Sequence, residues 1–212
     1  MVDVSVIIPY HQDRGYLFDA IESYEAQEFT GTSELILSHN PTFTLGQNFN
    51  AGVTQAKGKY IKILPDDDLL TPNCLQDLFD VAELNGADVV FAEAYNMIGE
   101  DSKGWNSSGH YIPKVPTIIT LESLLNNNFI HGGTTFYRTS IFNEVGGYDE
   151  SLWTAEEYEF HLRCLGNGYK FYYAPSIVFE YRVWSASKSI VYRRTKSIER
   201  VEYIESIRDR FR

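Results

Sequence analysis

Strand-like and helix-like segments alternate along the first half of the chain, and this alternation constrains the fold more than any other feature. Runs of β-branched and aliphatic residues predict buried strands, and apolar residues at helical spacing predict helices between them. This order favours an α/β domain with a mostly parallel sheet and helices on both faces. The predicted strands are residues 2–9, 34–38, 59–64 and 87–94, and the predicted helices are residues 15–27, 44–57 and 72–85.

The second half of the chain is less regular. Residues 96–116 are rich in Gly, Ser and Asn and predict an excursion from the sheet or a loop. Because the sequence has no internal repeat and no linker-like stretch, it predicts a single domain over residues 1–212. A charged helical pattern from about residue 189 indicates a solvated helix face or a connection to a further domain after Arg212. The remaining predicted helices are residues 120–128, 141–145 and 155–165, and the remaining strands are residues 133–137, 170–173 and 177–181.

The charge balance limits the classes of partner. A formal net charge of −11 argues against a nucleic-acid partner, because duplex binding depends on Lys and Arg neutralising phosphates. An acidic protein can still bind a nucleotide when a divalent cation screens the diphosphate. Cys74 and Cys164 fit no metal or redox spacing. No apolar run approaches the ~20 residues of a membrane-spanning helix. We therefore expect a cytoplasmic protein without a transmembrane segment.

Three consecutive carboxylates, Asp66, Asp67 and Asp68, follow the predicted strand 59–64. In an open α/β sheet, ligands bind outside the carboxyl ends of the strands. Adjacent carboxylates repel each other, and a hard cation such as Mn²⁺ or Mg²⁺ would remove that conflict while bridging to substrate phosphates. The alternative is a solvated acidic turn that caps the next helix. The position after a buried strand favours the cation site.

A second acidic feature lies at the start of the predicted helix 155–165. Glu156, Glu159 and Arg163 are spaced three and four residues apart, which is typical of an exposed salt-bridged face. In the functional interpretation, Glu156 or Glu157 points into a cleft and removes a proton from a hydroxyl group. His131 could be a metal ligand, an acceptor contact or a buried core histidine, and the core histidine is the commonest case for an isolated histidine. The glycines after it allow either a close backbone approach to a ligand or an ordinary turn before a strand.

Taken in chain order, these segments resemble the inverting family 2 glycosyltransferases, which have the GT-A fold, a Rossmann-like sheet flanked by helices. The resemblance extends from Val4 to about Ser189. The acidic turn stands where the family has its DXD-type motif. The other matching segments are residues 4–10, Asn50-Ala51-Gly52-Val53, residues 56–61, residues 146–150, Glu156-Glu157 with Arg163, and Tyr181-Arg182-Val183.

The resemblance implies a donor site for a nucleotide-sugar such as UDP-glucose or a related UDP-hexose. Pro9 and Tyr10 would line the base pocket, and Asn40 would stand where the family usually has an aspartate that contacts the base. Asp66 would hold the ribose or the metal. Asp68, together with Asp67, would coordinate Mn²⁺ or Mg²⁺ on the diphosphate.

The resemblance also implies the transfer step. Glu157 would be the general base for a hydroxyl acceptor, a growing glycan, and Glu156 would help to place the sugars. Two positions depart from the family pattern: Asn40 replaces the usual aspartate, and Trp184 stands where a histidine often contacts the metal.

Two other functions remain open from the sequence. A phosphatase of the haloacid-dehalogenase type needs a nucleophilic Asp at the end of its first strand, where this chain has Pro9-Tyr10-His11. A catalytically silent nucleotide-sugar-binding domain of a larger protein fits the same motifs. Release of nucleoside diphosphate from a nucleotide-sugar would distinguish the enzyme from the silent domain.

Overall fold

One mixed sheet organises the chain. The computed structural model describes residues 1–98, 106–183, 191, 195 and 197–212. Within that part the strand order is β2-β1-β3-β7-β5-β8-β4, with β6 paired to β5. The strands are β1 Val4–Tyr10, β2 Ser33–His39, β3 Tyr60–Ile63, β4 Leu69–Leu70, β5 Val89–Ile98, β6 Asn106–Tyr111, β7 Phe136–Arg138 and β8 Phe171–Val183.

The strand directions confirm the α/β class, and the two longest strand pairings are parallel in a sheet that is mixed overall. β1 pairs in parallel with β2 and β3, and β5 pairs in parallel with β8. β7 lies between β3 and β5 and runs antiparallel to both. Its first residue, Phe136, pairs with Lys62 near the carboxyl end of β3. The turn before β7 therefore lies at the sheet edge where β3 ends.

The helices begin and end at residues with clear physical roles. Thr44 caps α2 through a reciprocal capping box with Gln47. Gly86 ends α3 in the left-handed conformation, φ 57°, which costs glycine little. The helices are α1 Leu17–Glu25, α2 Leu45–Val53, α3 Cys74–Asn85, α4 Leu121–Asn126, α5 Ser140–Glu144, α6 Glu156–Gly166 and α7 Ser197–Asp209.

Helices cover both faces of the sheet, as the sequence predicts. Alternate residues of β1 belong to two separate apolar clusters, one on each face. Ile7 packs in the cluster that contains Phe49 of α2 and Phe160 of α6. Val6 packs in the cluster that contains Leu78 of α3. A strand buried on both faces requires the continuous apolar run that made β1 recognisable.

Two segments differ from the sequence prediction. The loop predicted for residues 96–116 is wrong in part, because β5 continues to Ile98 and β6 pairs with it as an antiparallel hairpin. Main-chain hydrogen bonds can hold such a hairpin without apolar side chains. Because β6 is polar, it lacks the alternating apolar pattern from which a strand is predicted. The two strands predicted at 170–173 and 177–181 are one strand, β8. A register shift against β5 accommodates Pro175, since proline is tolerated at bulges.

The C-terminal helix α7 packs one face against the domain, and its other face, with Val201, Glu202 and Asp209, is exposed as the sequence predicts. Ile207 is only 2% exposed, and Tyr203 and Phe211 pack against the same cluster as α6. Arg210 adds ion pairs to Asp149 (3.2 Å) and Glu159 (3.3 Å). The rest of the predicted basic tail, Lys188, Arg193, Arg194 and Lys196, lies outside the described residues.

The described residues include no helix that is long and apolar enough to span a membrane.

A lysine lies wholly inside the sheet below the acidic turn. Lys62 of β3 is 0% exposed, and its Nζ donates to the carbonyl oxygens of Ile63 (3.0 Å) and Gly133 (2.5 Å). Burial lowers the pKa of Lys62 from its ordinary 10.5 to about 8. The folded protein therefore holds this proton less tightly than the unfolded chain does.

This burial gives the stability a specific pH dependence. Between about pH 8 and 10.5 the unfolded chain binds more protons at Lys62, so raising the pH stabilises the folded state. Relative to Lys62→Met, the wild-type free energy of unfolding should rise by about 3 kcal/mol across this window. Urea denaturation of both proteins at neutral and alkaline pH measures the difference. A difference that stays constant with pH would show that Lys62 does not titrate in this way.

Candidate active site

One large cleft, of about 970 Å³, opens at the edge of the sheet where β1 and β3 end. Its lining includes Pro9 and Tyr10 at the end of β1, and Glu156 and Glu157 at the start of α6. The acidic turn, residues 66–68, also lines it. The structure thus brings together most of the residues that the sequence singled out, from segments about 150 positions apart.

Asn40 is the exception among the predicted donor-site residues. It is not among the residues that line the cleft. Its side-chain oxygen accepts hydrogen bonds from the backbone N–H (3.0 Å) and the hydroxyl (2.8 Å) of Thr42. The neighbouring His39 instead stacks on Tyr10, with 4.5 Å between ring centroids.

Two arginines hold the acidic turn. Arg14 lies 2.8 Å from Asp66 and 3.3 Å from Asp67. Arg182 of β8 donates its backbone N–H to Asp68 (2.7 Å) and its Nε–H to the Asp67 carbonyl (2.8 Å). Arg182 is 1% exposed, so the turn is fixed to β8 from within the protein.

The carboxylates of this turn are buried as well as crowded. Burial raises the pKa of Asp68 well above its usual range, and the neighbouring charge of Asp67 raises it further. Burial also raises the pKa of Asp66, although Arg14 opposes the effect. A cation that binds between these groups would stabilise their charged forms.

The carboxylate oxygens of the turn are ligand atoms of the kind that a hard divalent cation prefers. Among the described residues no three His, Cys, Asp or Glu side chains converge into a complete metal site. Mg²⁺ and related cations, however, are commonly held by one or two carboxylates together with substrate phosphates. Asp66 and Asp68 supply that number of carboxylates at the cleft. Trp184, the predicted departure near this site, lies outside the described residues.

The first turn of α6 presents Glu156 and Glu157 to the cleft. Ala155, just before the helix, has φ 64° and is the only non-glycine residue with positive φ in the described ranges. This strained backbone turns the chain sharply, so that the helix begins directly at Glu156. Glu156 is 4% exposed. The helix N-terminus favours these negative charges.

The alternative of an exposed salt-bridged face on α6 is wrong. Glu159 is fully buried, and its ion pair with Arg163 (2.8 Å) lies against the loop before the helix. Arg163 also donates to the carbonyl oxygens of Val145 (2.9 Å) and Gly147 (2.6 Å). This pair therefore anchors α6 and leaves Glu156 and Glu157 as the acids at the cleft.

The turn Gly132–Thr134 packs directly against Glu157. A Cβ atom on Gly132 would lie 3.0 Å from Cγ and Oε1 of Glu157, closer than side chains normally approach. Glycine is needed at this position because of that close approach. Before the turn, His131 lines the cleft, and its Nδ1 accepts the backbone N–H of Gly133 (3.2 Å).

Gly132→Ala should displace the Glu157 carboxylate without unfolding the protein. If Glu157 is the general base that the resemblance implies, catalytic turnover should fall by up to ~10²-fold, since small misplacements of a reacting group are costly. The melting temperature should change little. Gly109→Ala is the matched control, because the nearest atom to its Cβ would be Asn96 Nδ2 at 3.8 Å. Equal activity of the two variants would mean that Glu157 does not need this glycine.

A buried histidine in the cleft wall is a poor candidate for the base. His161, one helical turn after Glu157, is 1% exposed, and its Nε2 lies 2.8 Å from the Tyr137 hydroxyl. Burial lowers the pKa of His161 to about 3, so the ring is neutral near pH 7. Thr135 connects this pair to the Gly132 carbonyl through its hydroxyl. No motif in the sequence indicated this network.

Several other residues at the cleft were not predicted from the sequence. Arg14 follows no motif, and nothing in the sequence indicated that it would contact Asp66. Trp153 lines the cleft beside α6, and its ring lies 5.0 Å from that of Tyr203 on α7. Arg200 and Arg208 of α7 also reach the cleft. The charge pattern of the tail was the available signal, but its docking position depends on tertiary packing.

Comparisons with known proteins agree with this geometry. The sequence profile of the family described as "Glycosyl transferase family 2" matches residues 32–146. A Rickettsia prowazekii protein named "Uncharacterized glycosyltransferase RP339" is 26% identical over 209 residues, covering 87% of this chain and 63% of the relative. The Methanocaldococcus jannaschii protein named "Uncharacterized glycosyltransferase MJ1057" is 25% identical, covering 85% and 70% of the two chains.

Solved structures show the same fold. The crystal structure of S. aureus TarS 1-349 in complex with UDP superposes with a TM-score of 0.66 at 17% identity, covering 87% of this chain and 61% of that one. Its complex with UDP-GlcNAc gives 0.66 at 16% identity, with coverage of 86% and 59%. This chain thus spans less than two thirds of the TarS chain and 63% of the Rickettsia relative.

Proposed function

The chain belongs to glycosyl transferase family 2 and has the GT-A fold, and from this we propose that it is a metal-dependent hexosyltransferase. It would move a hexose from a nucleotide-diphosphate sugar to a hydroxyl acceptor, a glycan, with inversion at the anomeric carbon. The observation that carries the proposal is the convergence of Tyr10, the acidic turn and Glu157 on one cleft. Tyr10 would contact the nucleotide base, the acidic turn would hold the diphosphate through the cation, and Glu157 would contact the acceptor hydroxyl.

The donor would be a UDP-sugar. The UDP and UDP-GlcNAc complexes of TarS support this choice, since that protein shares the fold. Pro9 and Tyr10 would line the base pocket, where the stacked rings of Tyr10 and His39 offer a flat surface. UDP-glucose, UDP-GlcNAc and related UDP-hexoses are therefore the first donors to test.

Asp66 and Asp68 would hold Mn²⁺ or Mg²⁺, with Asp67 beside them. When bound, such a cation stabilises the negative charge that develops on the leaving diphosphate. Asp68 is well suited to hold it, because the backbone N–H of Arg182 fixes one of its oxygens. Asp66 would contact the ribose or share the cation.

Glu157 would accept the proton of the acceptor hydroxyl as that oxygen attacks the anomeric carbon. The new carbon–oxygen bond forms on one face of the sugar while the bond to the diphosphate breaks on the other. The bonding electrons leave with the diphosphate, and the configuration is inverted. Glu156, which is buried next to Glu157, would help to place the two sugars.

A thermal-shift panel tests donor binding. We expect UDP-sugars to raise the melting temperature in the presence of Mn²⁺ and to raise it less without the cation, because ligands that bind the native state stabilise it. ADP-sugars and free hexoses serve as controls. A panel in which no nucleotide-sugar shifts the melting temperature, with or without Mn²⁺, would contradict the proposal.

A further inference from the structure

Helix α7 contributes a basic stripe to one wall of the cleft. Arg200, Ile204 and Arg208 are spaced four residues apart on this helix, and all three line the cleft. Residues at this spacing lie on the same side of a helix. The stripe spans two helical turns, about 12 Å. Because α7 is docked through Ile207, the orientation of the stripe is fixed.

The stripe stands on the side of the cleft where Glu157 lies. Arg208 donates its Nε–H to the hydroxyl of Tyr158, the residue after Glu157, over 3.0 Å. It also donates to Glu205 of the preceding helical turn. Arg208 is therefore held in place beside the first turn of α6. The acidic turn has its own arginine contact, from Arg14.

Arg200 has a buried donor that the protein does not satisfy. In the part of the chain that the structure describes, its Nε is buried and has no hydrogen-bond partner. An unsatisfied buried donor costs free energy, and a charged one costs more. The chain has a formal net charge of −11, and Glu156 and Glu157 line the same cleft. An arginine left without a protein acceptor in such surroundings indicates an anionic ligand.

We propose that Arg200 and Arg208 form a subsite that binds phosphate on the acceptor. The inference rests on the proposed function, because it places the acceptor next to Glu157, which takes the acceptor's proton. Guanidinium groups bind phosphate oxygens through charge-assisted, often bidentate hydrogen bonds. The length of the stripe suits an extended acceptor. The acceptor is then a phosphate-bearing molecule rather than a neutral sugar chain.

The donor also carries phosphates, so the experiment must separate the two sources. The wild-type protein is first saturated with UDP and Mn²⁺, which fills the donor diphosphate position. Glucose 6-phosphate and glucose are then titrated by calorimetry as matched probes. We expect glucose 6-phosphate to bind the loaded protein more tightly than glucose. Arg200→Gln should weaken its binding ~10-fold or more, since hydrogen bonds to charged groups are among the stronger ones.

Two further variants make the result specific. Arg200→Lys keeps the charge and should retain part of the affinity. Lys59→Gln removes one positive charge away from the cleft, where Lys59 pairs with Glu83, and should leave binding unchanged. The affinity for UDP should be equal in all variants.

Several outcomes would overturn the inference. One is the failure of glucose 6-phosphate to bind the loaded wild type at millimolar concentration, and another is equal binding to Arg200→Gln. A loss of UDP affinity in Arg200→Gln would assign the arginine to the donor diphosphate instead. A wild type that does not bind UDP would overturn the proposed function itself, and this inference with it.

Discussion

Replacing Glu157 by glutamine is expected to remove nearly all sugar transfer while leaving donor binding intact. Glutamine has almost the same shape but cannot accept the hydroxyl proton. General-base assistance is typically worth ~10²–10⁴-fold, and we expect a loss of this size in kcat. The Gly132 turn packs against this side chain from the other side, so the substituted residue should keep its position. Steady-state transfer assays with a UDP-sugar give kcat, and calorimetry gives the donor affinity.

A matched control separates the chemistry from the loss of a helix N-terminal charge. Glu122 lies in the first turn of α4 and is exposed, so Glu122→Gln makes the same change at a helix start away from the cleft. Its activity should equal that of the wild type. If Glu157→Gln retained near-wild-type transfer, Glu157 would not be the base.

Replacing Asp68 by asparagine should weaken metal-dependent donor binding. The amide oxygen can still accept the Arg182 N–H, so the fold of the turn is preserved while the charge that attracts the cation is lost. Changes to groups that support a bound metal cost ~10–100-fold in affinity, and loss of a direct ligand should cost at least as much. Calorimetry of UDP binding with Mn²⁺ measures the effect.

The control for this variant is Asp80→Asn on α3, which removes an exposed charge outside the cleft. It should leave UDP affinity unchanged. Without Mn²⁺, wild type and Asp68→Asn should bind UDP about equally. Unchanged affinity of Asp68→Asn in the presence of Mn²⁺ would exclude Asp68 as a ligand of the cation.

The sequence predicted those parts of the site that depend on local pattern. β1 and β3 were recognisable because both faces are buried, and parallel pairing then put Tyr10 and the acidic turn at one edge. The start of α6 was also predicted, so Glu156 and Glu157 were placed correctly at the cleft. The proposed roles of Tyr10, the acidic turn, Glu156 and Glu157 come from the family resemblance, in which these motifs follow one another in the same order.

What the sequence could not predict depends on contacts between distant segments. β7 is only three residues long, and its antiparallel insertion is fixed by pairing with β3 and β5. The hairpin strand β6 has no alternation of apolar and polar residues from which it could be predicted. The docking of α7, and hence the position of Arg200 in the cleft, depends on packing around Ile207 rather than on its charge pattern.

The proposed function requires that the cleft break the bond between a hexose and a nucleoside diphosphate with the help of a divalent cation. Incubating the protein with UDP-glucose and UDP-GlcNAc, with Mn²⁺ or with a chelator, and measuring released UDP tests this without any acceptor. We predict slow release of UDP from at least one donor that requires Mn²⁺ and is reduced in Asp68→Asn. Donors that bind but release no UDP under any of these conditions would contradict the account and support a silent nucleotide-sugar-binding domain.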